Sequence, residues 1–504
     1  MKFLSRLPRF QSATVPTLPC KFNHQTTHAF TSLANSESEP RDVPEYFNFA
    51  SDVLDKWSQR EKEGKRPPNP AFWWVREKGE EVKWTFEELS YLTRKTANVL
   101  SEACNLCKGN RLLMILPRVP EWWLLSLACI RTGQSKGTTR HKDICTTITI
   151  NLLITPYNPS PPTFFNVIHK ISIGFFINRE WMDLTSSDII WGLSDPGWIK
   201  FAIGSFYSPW SQGSCIFQHG FLQFDPKVVL ESLAKYPVTT FCGTPTIFRM
   251  LLQHNPSRYT FKSLRTCLGG GEPFNLDVLK EWKAETGFDI REGYGQTESS
   301  LLCSSRKGLK IKPGFIGKPL SGVDVRIIDE NNNCLPPGEE GDIAVKIKPQ
   351  RPVGLFSGYV DDPEKTAATE RGDYYITGDR GLMDEDGYVQ FIARADDIIL
   401  SSGYRIGPFE VEYALMKHPA VAEAAVVSSP DPIRGEVVKA FIILTPAYQS
   451  QDQEKLSLEL QGHVKKITAP YKYPRKIEFV QDLPKTISGK IKKRLLRKKE
   501  WETA

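Results

Sequence analysis

Between Asn48 and Glu63 apolar side chains recur three and four positions apart, which predicts a helix with one buried face. Asn110 to Arg118, NRLLMILPR, is a short apolar run of the kind that makes a buried strand, and Trp122 to Thr132 reads as a helix. A helix over Phe224–Tyr236, a strand over Thr239–Gly243 and a helix over Pro245–His254 follow. That alternation places the chain in the α/β class, with sheets flanked by helices in a large N-terminal domain. From Asp324 to Val389 the texture changes to short strands between Gly and Pro turns. Arg394 to Tyr404, RADDIILSSGY, is polar and turn-rich and reads as a connection between domains. Beyond it come a helix (Pro408–Lys417), two strands (Val421–Ser428 and Glu436–Thr445), a helix (Asp452–Lys466) and a strand (Arg475–Phe479). They predict a small α+β C-terminal domain of roughly 110 residues. No internal repeat is visible.

One stretch breaks the pattern. No glycine lies between Gly137 and Gly174, and no Asp, Glu, Lys or Arg between Ile144 and His169. ICTTITINLLITPYNPSPPTFFNVIH follows neither a period of 2 nor one of 3.6. It reads as an irregular insertion.

Composition narrows the class. The chain has 504 residues, enough for about two to four domains. Charged residues make up 24% and hydrophobic ones 40%, ordinary for a globular protein. Mean hydropathy is −0.34. No apolar run approaches the roughly 18 residues of a spanning helix; the longest, Trp122 to Ile130, is bounded by Glu121 and Arg131. The ten cysteines are scattered, as in a reducing compartment, and Cys104 and Cys107 form a lone CxxC without the second pair a metal site needs.

The net charge of +7 is concentrated at the ends. Residues 1–36 carry Lys2, Arg6, Arg9 and Lys21 and no acid, and are rich in Ser, Thr, Phe and Leu. That is the composition of a mitochondrial transit peptide, drawn inward by an inside-negative potential. Residues 485–499, KTISGKIKKRLLRKK, carry eight positive charges and no negative one. The body between is slightly acidic, which argues against a nucleic-acid partner.

Four segments have the chemistry of a nucleotide site. In LGGGEPF (268–274) three glycines let backbone approach a flat or anionic ligand. REGYGQTES (291–299) combines an aromatic ring, a small-residue turn, a hydroxyl for a phosphate oxygen and a carboxylate for Mg²⁺. In YYITGDRGLMDEDGY (374–388) an Asp closes a strand where it can take two ribose hydroxyls. PKTISGK (484–490) puts a lysine on a glycine-containing loop, a mobile charge able to neutralise oxygen in a transition state. Each segment alone is better read as a turn, a polar loop, a solvated hairpin or a basic tail.

In this order the four segments resemble the adenylate-forming superfamily, from about residue 43 to the C-terminus. The likeness is closest to the mitochondrial medium-chain acyl-CoA synthetases. It rests on PNPAFWWV (68–75), LPRVPEWWL (116–124), SDPGW (194–198), IREGYGQTES (290–299), SGYRIGPFEVE (402–412), SSPDPIRGEVVKAF (428–441) and TAPYKYPRKIEFV (468–480). The resemblance implies a large AMP-binding domain (37–393) and a small mobile domain (394–504) joined by a hinge at 394–397. It implies ATP-dependent activation of a medium-chain carboxylic acid to acyl-AMP and pyrophosphate, then thioester formation with CoA, in the mitochondrial matrix. Gly271, Glu272 and Pro273 would border adenine. Glu292, Gly293, Tyr294, Gly295 and Gln296 would lie along the nucleotide, with Thr297 on phosphate and Glu298 on Mg²⁺. Asp379 would hold the ribose hydroxyls, Arg394 would contact the ribose, and Asp396 would be the hinge. Lys490 would stabilise the adenylation transition state. Ser402, Gly403, Tyr404, Arg405, Arg434, Tyr473 and Arg475 would bind CoA, and Trp198 and the strand ending at Gly243 would line the acyl pocket.

The sequence departs from this pattern at one place. The family's Ser/Thr/Gly-rich phosphate loop ending in Pro-Lys belongs between Gly137 and Ser194 and is missing; SKGTTRHK (135–142) lacks its second glycine and the Pro-Lys. The likeness holds to about Ile144 and resumes near Trp181, so 145–180 is atypical and a block of family core is expected to be lost. A second reading follows: a splice or gene-model variant, or a paralogue, that binds nucleotide and CoA without turnover.

Overall fold

The computed structural model describes residues 47–503 except 77–78, 109, 115, 117, 134, 139–153, 156–176, 195, 197, 222–223, 353, 360–361 and 486–490. The proposed transit segment, the unpatterned stretch up to residue 176 apart from Ile154–Thr155, and Lys490 lie outside the described residues.

Two strands open the fold, β1 (Phe72–Val75) and β2 (Glu81–Trp84). A small sheet then pairs β3 (Arg111–Met114) with β4 (Ser135–Thr138) and β5 (Ile154–Thr155). The main sheet continues with β6 (Ile189–Gly192), β7 (Cys215–His219), β8 (Thr240–Gly243), β9 (Thr266–Gly270), β10 (Ile290–Gln296), β11 (Ser300–Ser304) and β12 (Lys318–Pro319). Its order is β12-β11-β10-β9-β8-β6-β7-β1-β2. The six strands from β10 to β1 are parallel, and the strands at both edges antiparallel. Strands covered on both faces read as unbroken apolar runs, and β6 (IIWG) and β8 (TFCG) are buried at every position.

Helices between these strands begin at side-chain caps that a sequence reader can find. Asp225 caps Pro226–Lys235, Thr244 caps Pro245–Leu252 and Asn275 caps Leu276–Thr286, each accepting from a backbone N–H of the first turn. Proline at the first position of the first two costs nothing, because its missing N–H would be unbonded there anyway. Thr244 directly follows β8, so the strand ends and the helix starts within one residue.

The buried core on one side of the sheet is aromatic. Trp122 and Trp123, from the helix Pro120–Thr132, pack with Phe201 and with Phe72 of β1. Chain re-entry after the undescribed stretch also builds core. Ile177, Trp181 and Met182 are buried against Ile190, Cys242 and Leu268, and the Trp181 indole donates to the Arg291 carbonyl at 3.2 Å. Trp181, near which the family likeness is expected to resume, is therefore part of the core.

The region of short strands forms an antiparallel sheet: β13 (Val325–Ile328), β14 (Gly341–Lys346), β15 (Glu370–Arg371), β16 (Tyr374–Met383) and β17 (Val389–Arg394). A three-residue turn, Ala395–Asp397, leads on. The last region has its own sheet and core: β18 (Ile399–Ser401), β19 (Tyr404–Ile406), β20 (Val421–Asp431), β21 (Gly435–Leu444) and β22 (Lys476–Phe479). Helices Pro408–Met416 and Gln453–Ile467 pack on it. Each predicted helix and strand named above is present, with ends moved by a few residues.

Candidate active site

In a parallel sheet, ligands gather at the C-terminal ends of the strands. Here β8 ends at Gly243 and β9 at Gly270, followed by Gly271, Glu272 and Pro273. β9 and β10 run so close that a Cβ on Gly270 would strike the Gly293 carbonyl, so only glycine fits. Gly271 has φ +95° and open space where a side chain would point. The Thr246 hydroxyl donates to Glu272 Oε2 at 2.8 Å.

Glu292, Tyr294 and Gln296 alternate along β10. The Tyr294 hydroxyl donates to Asp379 Oδ2 at 2.6 Å, and Gln296 Nε2 donates to the same oxygen at 2.7 Å. Gln296 Nε2 also donates to the Thr377 carbonyl at 2.8 Å, and Tyr375 donates to Gln296 Oε1 at 3.2 Å. The Asp379 amide donates to Thr377 Oγ1 at 3.1 Å. Asp379 is 3% exposed and held on one side only: Oδ2 takes two bonds, while buried Oδ1 takes none. Arg394, its register partner on β17, lies 3.4 Å from Oδ1 through Nε, an ionic contact without hydrogen-bond geometry. Burial pushes the Asp379 carboxyl above its ordinary range, opposed by Tyr294, Arg394 and Gln296. An orphaned buried carboxylate oxygen is costly, and a hydroxyl donor relieves it.

Burial alone lifts Glu292 to about 8, so it is mostly neutral at pH 7. Thr297 is exposed in the turn after β10, next to Glu298. Tyr359 donates to Glu298 Oε1 at 3.0 Å and the Phe356 amide to the Glu298 carbonyl at 2.6 Å. Among the described residues no cluster of three metal-ligating side chains exists. A single carboxylate suits Mg²⁺, which keeps its waters and takes its other ligands from phosphates.

Arg394 Nε also donates to Asp396 Oδ1 at 3.1 Å, and the Arg497 guanidinium reaches the Asp396 carbonyl. Lys490 itself is not described; the described residues on either side of it make the following contacts. Lys485 pairs with Glu423 and Lys493 with buried Glu412, both at 2.7 Å, and Lys485 bridges to Ile491.

Ser402 and Gly403 form the two-residue turn between β18 and β19, both with positive φ (50° and 82°). The Ser402 amide donates to the Arg434 carbonyl at 3.3 Å. Tyr404, 52% exposed, stacks on Tyr471 with centroids 4.3 Å apart. Arg475 donates to the Tyr473 hydroxyl at 2.7 Å, and Arg405 pairs with Glu330 at 3.1 Å. Tyr404 and Tyr471 thus form an exposed aromatic pair, and the Tyr473–Arg475 bond lies on the segment before β22. Trp198, 45% exposed, opens the helix Ile199–Ala202.

Sequence comparison identifies the family. A family model for the AMP-binding enzyme matches residues 163–360, and one for the AMP-binding enzyme C-terminal domain matches 410–490. Acyl-coenzyme A synthetase ACSM3, mitochondrial, of Pongo abelii is 51% identical over 547 residues, spanning 94% of this chain and 93% of that protein. The chain belongs to the acyl-coenzyme A synthetase family of AMP-binding enzymes. Acyl-coenzyme A synthetase ACSM4, mitochondrial, of Homo sapiens is 50% identical and covers 99% of this chain and 100% of its own. Among solved structures, the anthranilate CoA ligase AuaEII in complex with anthranoyl-AMP matches with a TM-score of 0.74 at 25% identity, over 92% of this chain and 99% of that one. The Brucella canis acyl-CoA synthetase matches with a TM-score of 0.62 at 28% identity, over 96% and 98%. The alignment with the Mus musculus ACSM3 protein runs over 579 residues against the 504 here, and the difference of 75 positions has no counterpart in this acyl-CoA synthetase.

Several groups of this synthetase's site escaped the sequence reading. Thr377 and Tyr375 lie in YYITGD, where the reading stopped at the Asp. Tyr359 and Thr246 reach the site from segments without a local signal. Lys200 lies two residues past SDPGW, and its Nζ donates to the carbonyls of Gly243 (2.5 Å) and Gly270 (2.9 Å).

Proposed function

We propose that this synthetase is an ATP-dependent medium-chain fatty acid–CoA ligase of the mitochondrial matrix, imported by residues 1–36. The observation that carries the nucleotide site is Asp379, buried and fixed through Oδ2 with Oδ1 left for a ribose hydroxyl. Adenine lies along Gly271–Pro273 and β10, with open space beside the Gly271 backbone. Neutral Glu292 presents a proton donor there without repelling phosphate.

The acid's carboxylate attacks the α-phosphorus of ATP, and pyrophosphate leaves. Direct attack of a thiol on a carboxylate would add charge to an anion; adenylation removes that charge and supplies a leaving group. Lys490 neutralises the oxygens in the transition state. Thr297 holds a phosphate oxygen, and Glu298, oriented by Tyr359, takes Mg²⁺. Mg²⁺ would offset the charge developing on the departing pyrophosphate. The small domain, from Arg394 on, then turns at Asp396 and presents Ser402–Arg405, Arg434, Tyr473 and Arg475 to CoA, whose thiol displaces AMP. Trp198 and Gly243 line the acyl pocket.

Pyrophosphate release with octanoate, ATP–Mg²⁺ and CoA tests the reading. It is expected to fall about 100-fold or more in Lys490→Ala; release no higher than in that variant would remove the ligase reading. The missing phosphate loop weakens the grip on the β- and γ-phosphates. AMP and ATP–Mg²⁺ are therefore expected to bind within about tenfold of each other by calorimetry.

A further inference from the structure

The link between the two domains is short, and the far end of the chain reaches back to hold it. Strand β17 ends at Arg394, in register with Asp379, and β18 begins at Ile399. Residues 395–398 lie between them. The Arg497 guanidinium donates to the Asp396 carbonyl and lies 3.8 Å from Asp397 Oδ1. Arg497 belongs to the helix Lys493–Thr503. Lys493, Arg497 and Glu500 are four and then three positions apart, so they share one helix face. That face packs inward. Lys493 pairs with buried Glu412, and buried Glu500 pairs with Lys439 and accepts from the Ser429 hydroxyl at 2.9 Å. Leu496 is buried beside Val427 and Phe441. The helix is thus a fixed part of the small domain, and Arg497 extends from it to the link.

The bond acts on one particular peptide unit. That unit is planar, so turning about either torsion of Asp396 carries its carbonyl oxygen along with the chain that follows. A donor on that oxygen leaves Asp396 free to turn and ties the next residues to the small domain. From the other side Arg394, at the end of β17, holds Asp396 Oδ1 at 3.1 Å. The guanidinium fork of Arg497 suits a carbonyl and a neighbouring carboxylate together.

We infer that Arg497 is a positioning residue for both half-reactions: it clasps the peptide after Asp396 to the last helix, so that the small domain turns as one body about Asp396 instead of bending anywhere along 395–398. This rests on the ligase reading, in which the small domain serves two steps, and adds the residue that confines the turn. Each loose residue contributes two soft torsions. Every unproductive placement they allow lowers the share of molecules ready to react. The clasp removes Asp397 and Ile398 from that freedom.

Trypsin cleavage after Arg394, read by mass spectrometry in the full chain, reports on the link, because proteolysis follows the population of locally opened chain. Arg497→Met is expected to raise cleavage at that bond about three- to tenfold. The kcat for thioester formation should fall by a similar factor, with AMP affinity and the KM for ATP within about twofold of the unaltered protein. Arg497→Lys keeps a donor for the carbonyl and should fall between the two. Hydrogen exchange in β20 and β21 should stay as it was. Faster exchange there in both variants would mean a loosened helix and would overturn the inference. So would an unchanged cleavage rate at Arg394 in Arg497→Met, or an unchanged kcat. If the unaltered protein releases no more pyrophosphate than Lys490→Ala, the ligase reading fails, and the cleavage rate still decides whether Arg497 clasps the link.

Discussion

The two ends of the proposed reaction path are built differently. Around Asp379 the groups are buried or half-buried and interlocked: Tyr294, Gln296, Tyr375 and Thr377 fix one another before any ligand arrives. Around Tyr404 they are exposed: a stacked tyrosine pair, a Tyr473–Arg475 bond and scattered cations on short strands. A preorganised buried network spends no binding energy on ordering, whereas exposed rings and cations are ordered by what they bind. The difference suits a nucleotide that must be aimed for in-line attack and a carrier that must arrive and leave.

The largest effect is expected at the buried end. Asp379→Ala strands the Tyr294 hydroxyl and the Gln296 amide as well as losing the ribose contact. Charged hydrogen bonds carry about 1.5–3 kcal/mol each, so AMP affinity should fall about ten- to a hundredfold or more by calorimetry. An unchanged affinity would break the comparison at its stronger side.

Next comes the pH dependence of Glu292. Its pKa is raised by burial to about 8 in the folded protein from an ordinary 4.5. Between those values the folded chain holds a proton that the unfolded chain has released, so stability is greatest below about 4.5 and declines as pH rises through about 8. Glu292→Gln should flatten that decline in thermal melts. A slope that survives the substitution would assign it elsewhere.

Salt sharpens the contrast further. Exposed cations are screened with a Debye length of about 10 Å at 0.1 M and about 3 Å at 1 M. Raising salt is therefore expected to increase the KM for CoA several-fold while AMP affinity moves little. Equal sensitivity of both would mean that the buried end is open to solvent.

The smallest effect belongs to Tyr404→Ala. An aromatic pair carries about 0.5–1.5 kcal/mol beyond its buried area, so the KM for CoA should rise about two- to tenfold with kcat for pyrophosphate release unchanged. A fall in pyrophosphate release instead would place Tyr404 in the first half-reaction.

Local signals in the chain were enough for the elements and for much of the site. Thr244-Pro245 and Asp225-Pro226 announce their helices, and the runs IIWG and TFCG announce strands buried on both faces. Asp379, Gly271 and the Glu292–Glu298 segment stand in short motifs whose order along the chain carries the family resemblance that nominates them. Folding decided what those motifs meet. Tyr359 and Glu298 are 61 residues apart, and Lys200 reaches carbonyls 43 and 70 residues away. No periodicity records such contacts, because parallel strands bring together segments separated by whole helices. The orphaned oxygen of Asp379 is likewise a property of burial, which depends on everything packed around a residue rather than on its neighbours in the chain.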